Sequence, residues 1–283
     1  MMKNKQNIAL TSVPASKLLT LPAVGSRHHG FFACACVLVV LVGAVGCIST
    51  PKQDRPDTKK LLPESYPCYR INEPINMDGR MGDPRWTNAP ALKFYVPPEC
   101  KEPVFKTEAR LLYDRNYLYV GYKAQDPDVW GYYTNRDDPT CVDDCLELFF
   151  QTDPSKEPYY GFEINALGTV NDSFYLRALM AGGGHRRWNK WNCNGLKVKV
   201  GINGTLNNPA DTDQYWTLEM AIPFAELPSL AGKNPQPGNI WQFHAARGER
   251  SVCNINDIEW TSCAPLKNKS FHVNQNWLKL NFK

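Results

Sequence analysis

Three polar residues stand inside stretches whose composition is otherwise that of β-strands. In Leu146-Glu147-Leu148, the strand period of two sends Glu147 to the face opposite both leucines. In Phe162-Glu163-Ile164-Asn165 it puts Glu163 and Asn165 on one face and Phe162 and Ile164 on the other. On neighbouring strands these would offer two carboxylates and an amide on one surface, groups suited to paired hydroxyls. Two carboxyls about 5–10 Å apart could also serve as the acid and the base or nucleophile of glycoside hydrolysis. No pattern here separates an acid from a base, and an ordinary solvated sheet face alternates in the same way.

Other residues carry weaker signals. Trp241-Gln242-Phe243-His244-Ala245-Ala246-Arg247 contains an imidazole and a guanidinium. The guanidinium fork suits two hydroxyls or a carboxylate, and Glu249 or Glu219 would equally serve as a salt-bridge partner. His244 reads as a ligand contact or as a hydrogen-bonded structural residue. Trp130, Trp188 and Trp191 lie in polar, turn-rich loops, where a large ring is either local packing or a binding platform. Asp126, Asp128, Asp137, Asp138, Asp143 and Asp144 form an acidic region whose hard oxygens suit calcium. Its spacing is not that of an EF-hand, and a solvated acidic loop is the plainer reading. His185, His244, His272 and a few methionines are the only axial ligands a haem would find, and there is no Cys-x-x-Cys-His.

The elements that must position these groups are strands. Residues 107–113 and 117–124 are β-rich runs joined by Asp114-Arg115-Asn116, a hairpin signature. Tyr117, Tyr119 and Gly121 alternate with Leu118, Val120 and Tyr122, giving one partly aromatic and one aliphatic face. Further runs cover 145–151, 159–165, 169–177, 196–202, 216–222, 240–246, 258–261 and 277–282, separated by Gly-, Asn- and Pro-rich turns. Only 83–88 and 224–230 look helical, and both are short. The prediction is an all-β chain: a β-sandwich of two antiparallel sheets with about ten strands, forming a single domain over residues 69–283.

The N-terminus reads as an address. An apolar run, 31–46, follows Arg27-His28-His29 and ends in Ala44-Val45-Gly46-Cys47, the order of an export signal. The cysteine directly after small residues resembles a bacterial lipobox, which implies a signal peptide over 1–47, lipidation at Cys47 and a membrane-anchored, exported protein. An uncleaved membrane anchor is the alternative. Residues 48–68 are polar and proline-bearing and read as a flexible tether. Lys+Arg number 32 and Asp+Glu 28. Residues 1–47 hold Lys3, Lys5, Lys17 and Arg27 and no acid, so the remainder is formally neutral. A neutral body argues against nonspecific nucleic-acid binding. Export permits disulfides, with Cys253 and Cys263 the best pair, but the seven cysteines beyond Cys47 leave at least one thiol over. No cysteine or histidine cluster has zinc spacing.

Several segments, in order, resemble the family 9 carbohydrate-binding modules. They are Met77-Asp78-Gly79 with Asp83-Pro84-Arg85-Trp86, Leu112-Tyr113-Asp114 with Tyr117-Leu118-Tyr119-Val120, and Asp143-Asp144-Cys145-Leu146-Glu147-Leu148-Phe149. They continue with Tyr159-Tyr160-Gly161-Phe162-Glu163-Ile164-Asn165, Gly204-Thr205-Leu206-Asn207, Trp216-Thr217-Leu218-Glu219 and the ending Phe271-His272-Val273 to Trp277. The resemblance implies a noncatalytic β-sandwich that holds an oligo- or polysaccharide, often at a chain end, with structural calcium in some members and no required cofactor. It implies hydroxyl-binding groups at Glu147, Glu163 and Asn165, a strand facing the site at His244 and Arg247, and an aromatic plate at Phe271. It assigns Trp86, Trp216 and Trp241 to the core. Two departures stand out. The second plate falls on Cys141, which cannot stack, so either affinity is low or another aromatic, Trp130, Trp188 or Trp191, fills in. Glu163 stands where xylanase-attached relatives can carry arginine. A separate glycoside hydrolase is the expected companion.

Overall fold

The computed structural model describes residues 62–179, 184–187, 191–251, 254–267 and 270–283. Cys47, Trp188 and Cys253 lie outside the described residues, as does the proposed signal segment. The strands are β1 (Ser65–Arg70), β2 (Leu92–Lys93), β3 (Thr107–Tyr113), β4 (Tyr117–Gln125), β5 (Cys145–Gln151), β6 (Tyr159–Asn165) and β7 (Val170–Leu179). They continue as β8 (Gly184–Arg187), β9 (Lys197–Asn203), β10 (Tyr215–Pro223), β11 (Ile240–Ser251), β12 (Asn254–Ser262) and β13 (Leu278–Phe282). The short helical stretches are single 3-10 turns, at Pro84–Asn88, Phe224–Glu226 and Pro228–Leu230 as expected, and also at Thr140–Val142 and Asn274–Asn276.

The hydrogen bonding differs from the expected pair of antiparallel sheets. One path runs β8-β7-β6-β5-β11-β13-β1-β3-β4-β10-β9, with β12 added to β11 and β2 to β3. It is continuous because β1 divides its pairing. Ser65–Cys68 pair in parallel with β13, and Tyr69 and Arg70 pair in parallel with β3. The chain therefore enters the sheet upstream of the domain boundary read at residue 69, with Tyr66 and Cys68 buried. We call the strands from β8 to β13 the first arm and those from β3 to β9 the second.

Period two decides what each arm buries. In the first arm, Leu146, Leu148 and Phe150 of β5 stand opposite Ile164, Phe162 and Tyr160 of β6. In the second, Leu118, Val120 and Tyr122 of β4 stand opposite Ile222, Met220 and Leu218 of β10. All join one core, which also takes in Trp216 and Trp241. Across the arms Phe224 packs edge-on against Trp241, and the Tyr122 hydroxyl donates to the Glu147 carbonyl at 2.9 Å. The outward face of the second arm holds a smaller cluster in which Trp86 lies among Leu112, Tyr119 and Ala221. Asp114 fixes the β3–β4 hairpin: one carboxylate oxygen accepts from the amides of Asn116 and Tyr117, the other from the Tyr119 hydroxyl.

Candidate functional site

The other face of the first arm is buried too, and its rings, Phe149, Tyr159 and Tyr175 among them, are continuous with the same core. Glu147 of β5 and Glu163 of β6 are direct cross-strand partners at the middle of that face, so their Cβ atoms stand about 4.5–5.5 Å apart. Both are buried. Glu163 Oε2 accepts from Asn171 Nδ2 of β7 at 3.3 Å. Glu147 Oε1 is buried without a hydrogen-bond partner. Burial pushes the Glu147 carboxyl well above the usual range, the facing Glu163 adds to the rise, and Arg250 opposes it. Two carboxylates this close favour retaining a proton between them. The pair thus offers both acceptor and donor to a hydroxyl-rich ligand.

Aromatic rings wall the pair. His244 of β11 lies opposite Phe149 of β5 and stacks on it with centroids 6.0 Å apart. Phe271 meets His244 edge-on at 5.0 Å and Trp260 of β12 edge-on at 5.3 Å. Tyr159 of β6 and Tyr175 of β7 stack at 4.6 Å, and the Tyr159 hydroxyl lies 3.0 Å from His272 Nδ1. His244 Nε2 is 2.8 Å from the Ser262 hydroxyl, and burial holds the imidazole down to about 3, so it is neutral. Arg250 completes the rim. Its guanidinium donates to the Cys141 carbonyl and lies 5.3 Å over the Trp260 ring.

The structure brings together Glu147, Glu163, His244 and Phe271; of the other described candidates, Arg247 and Trp191 lie elsewhere and Asn165 is engaged by its neighbours. Arg247 points to the opposite face, because residues 244 and 247 differ by an odd number. There it is fully buried and pairs with Asp126 at 2.8 Å, not with Glu249 or Glu219. Asn165 is on the expected face but is spent: Nδ2 donates to Asp143 and to the Tyr133 carbonyl, and Oδ1 accepts from the amides of Leu167 and Thr169. Phe271 is 6% exposed, so it closes the wall and does not stand as an open plate. Trp191 belongs to the core, packed on Tyr160, Phe162 and Phe174 with its Nε1 donating to the Glu226 carbonyl. Trp130 lends its Nε1 to the Arg250 carbonyl. Arg250, Trp260, Tyr159, Tyr175 and Asn171 were missed. Arg250 was within reach, since it shares the parity of His244.

Of the calcium candidates, Asp126 and Asp128 stand with Glu249, their ligand atoms within 4.8 Å of one another. The donor chemistry suits calcium, and Asp126 also serves other partners. Asp126 Oδ2 is taken by Arg247 and its Oδ1 by the Asp128 amide, so the guanidinium already supplies the positive charge. Asp143 is separate, with Oδ2 accepting from Tyr132, Tyr133 and Asn165. Six described cysteines, Cys263 among them, carry free thiols.

Comparison with known proteins gives one family and one fold. The sequence profile described as carbohydrate family 9 binding domain-like matches residues 77–257. No curated protein sequence matches the chain. A crystal structure of a candidate carbohydrate-binding protein from Bacteroides uniformis is similar at a TM-score of 0.61 and 15% identity, covering 78% of this chain and 99% of that one. A family 9 carbohydrate-binding module from Caldicellulosiruptor kristjanssonii, in complex with glucose, is similar at a TM-score of 0.50 and 15% identity, covering 77% of this chain and 95% of that one.

Proposed function

The chain belongs to the carbohydrate family 9 binding domain-like family, and from that premise we propose that it binds a saccharide on the Glu147–Glu163 face of the first arm without chemical turnover. The observation that carries the reading is the buried, unpartnered Glu147 Oε1, directly across the strands from Glu163 and walled by rings. A sugar hydroxyl is the natural partner for that oxygen, and the half-buried Trp260 ring suits the C–H face of a pyranose. The similar Caldicellulosiruptor module holds glucose, which favours a neutral hexose or a chain of them as the first ligand to test.

The same reading extends to setting. The two arms act as the layers of a sandwich, and Cys47 lipidation with the following tether holds this layered domain outside the cytoplasm at a membrane. There it captures polysaccharide fragments beside a separate glycoside hydrolase.

Calorimetric titration with cello-oligosaccharides tests the site. Loss of a hydrogen-bond partner by a buried polar group costs about 1–3 kcal/mol, so Glu147→Gln weakens binding roughly five- to a hundredfold, and no reducing ends appear on long incubation. A glycan array without a ligand would sink the reading. Turnover that Glu147→Gln abolishes would replace it with a hydrolase.

A further inference from the structure

The outward face of the second arm carries a different surface. Period two brings Arg110 of β3, Lys123 of β4, Tyr215 of β10 and Asn203 of β9 to it. The segment from Asn76 to Asp83 lies across this face and is firmly fixed. Glu219, fully buried, accepts from the Gly79 amide at 2.7 Å and from Trp86 Nε1 at 2.8 Å. Thr217 donates to the Gly79 carbonyl, and Asp78 Oδ1 accepts from the Arg80 amide at 2.8 Å. Gly79 and Met81 take left-handed φ values of 78° and 54°, which turn the segment sharply around Arg80.

Arg80 stands between two concavities. One, about 310 Å³, is lined by Arg80, Arg110, Lys123 and Glu108 among others; the second, about 480 Å³, by Arg80, Tyr215, Asn203 and Asp78 among others. Arg80 and Lys123 enter none of the ion pairs among the described residues. Lys123 Nζ lies 3.9 Å from the Tyr215 ring centroid. Lys123 therefore lies over the Tyr215 ring and Arg80 lines the same concavity as that ring, with an amide and carboxylates at the margins.

We propose that this face is a second saccharide site, selective for a uronate residue. A guanidinium fork matches a planar carboxylate in two parallel hydrogen bonds, and Tyr215 offers a surface for the C–H face of the ring. Asn203 and Asp78 are left for hydroxyls. Glu108 and Asp78 disfavour a dianion such as a phosphate ester or inorganic sulfate, so the site takes one carboxylate on a sugar ring. It shares no residue with the Glu147–Glu163 face, so the two sites stand or fall separately.

The test is titration of the protein with trigalacturonate, cellotriose and inorganic sulfate, followed by calorimetry and amide chemical shifts. Trigalacturonate should bind, weaken at least threefold between 50 and 500 mM salt (about the range over which screening shortens from above to below 10 Å), and shift amides near Arg80 and Tyr215. Arg80→Ala and Arg80→Lys should each weaken it at least tenfold, because lysine lacks the fork. Both variants should bind cellotriose as the unaltered protein does. No trigalacturonate binding, binding indifferent to Arg80, or equal binding of sulfate at Arg80 would each overturn the proposal. Loss of cellotriose binding by the unaltered protein would count against the first-arm site alone.

Discussion

Among the described residues no cation is hydrogen-bonded to Glu147, and the residue across the ladder from it is another glutamate. Such an arrangement costs stability, because burial and the facing charge both penalise the ionised form. The folded-state pKa lies above the unfolded one, so the contribution to stability is fully present below the ordinary glutamate range. It is lost as pH rises toward the raised value. Glu147→Gln removes the titration while keeping the shape. Thermal unfolding of the variant should show a flatter pH dependence, and above pH 7 the variant should be the more stable, by about 1–3 kcal/mol. A variant less stable than the parent at every pH would mean that Glu147 is a structural residue. Parity settles how far the remaining residues were legible. His244 and Arg247 cannot share a strand face, and the same rule selects Arg250, whose guanidinium lies over Trp260. The hydrogen bonds that consume Asn165 come from loops distant in sequence and leave no local trace.

At the scale of elements, the hairpin of β3 and β4 and the long strands β5, β6 and β10 were readable because composition, alternation and turn residues agree there. β1 was not. Ser65–Arg70 includes Pro67, which argues against a strand, yet Ser65–Cys68 pair only with β13 and β3 takes over from Tyr69. Proline is tolerated where one side of the strand is still free. The close approach of the Asn76–Asp83 segment to β9 was equally hidden. A Cβ on Gly201 would stand 2.0 Å from the Gly79 carbonyl oxygen, a backbone atom that Thr217 and Glu219 hold in place. Gly201→Ala should therefore cost about 1–3 kcal/mol in chemical denaturation and displace Arg80, weakening trigalacturonate more than cellotriose. An unchanged midpoint would show that the segment yields freely.

Across the whole molecule, the two arms are joined by a buried charge as well as by the core. Arg247 of β11 in the first arm reaches Asp126, the Gln125 carbonyl and the Thr107 hydroxyl at the end of β3 and β4 in the second. The guanidinium stands where the carboxylates of Asp126, Asp128 and Glu249 would otherwise call for a metal ion. A buried pair of this kind adds little over well-packed apolar residues, but removing one partner strands the other. Arg247→Met should thus destabilise by about 3–5 kcal/mol, and the added change Asp126→Asn should recover much of that loss. Calcium bears on the same point. With Arg247 present, a chelator should leave the melting temperature unmoved; in Arg247→Met, Asp126 loses its guanidinium partner, and millimolar calcium should raise it. Both measurements come from thermal melts of the two variants and the parent, with and without calcium. A parent protein that loses stability to the chelator would show that a metal ion, and not Arg247, closes the joint between the arms.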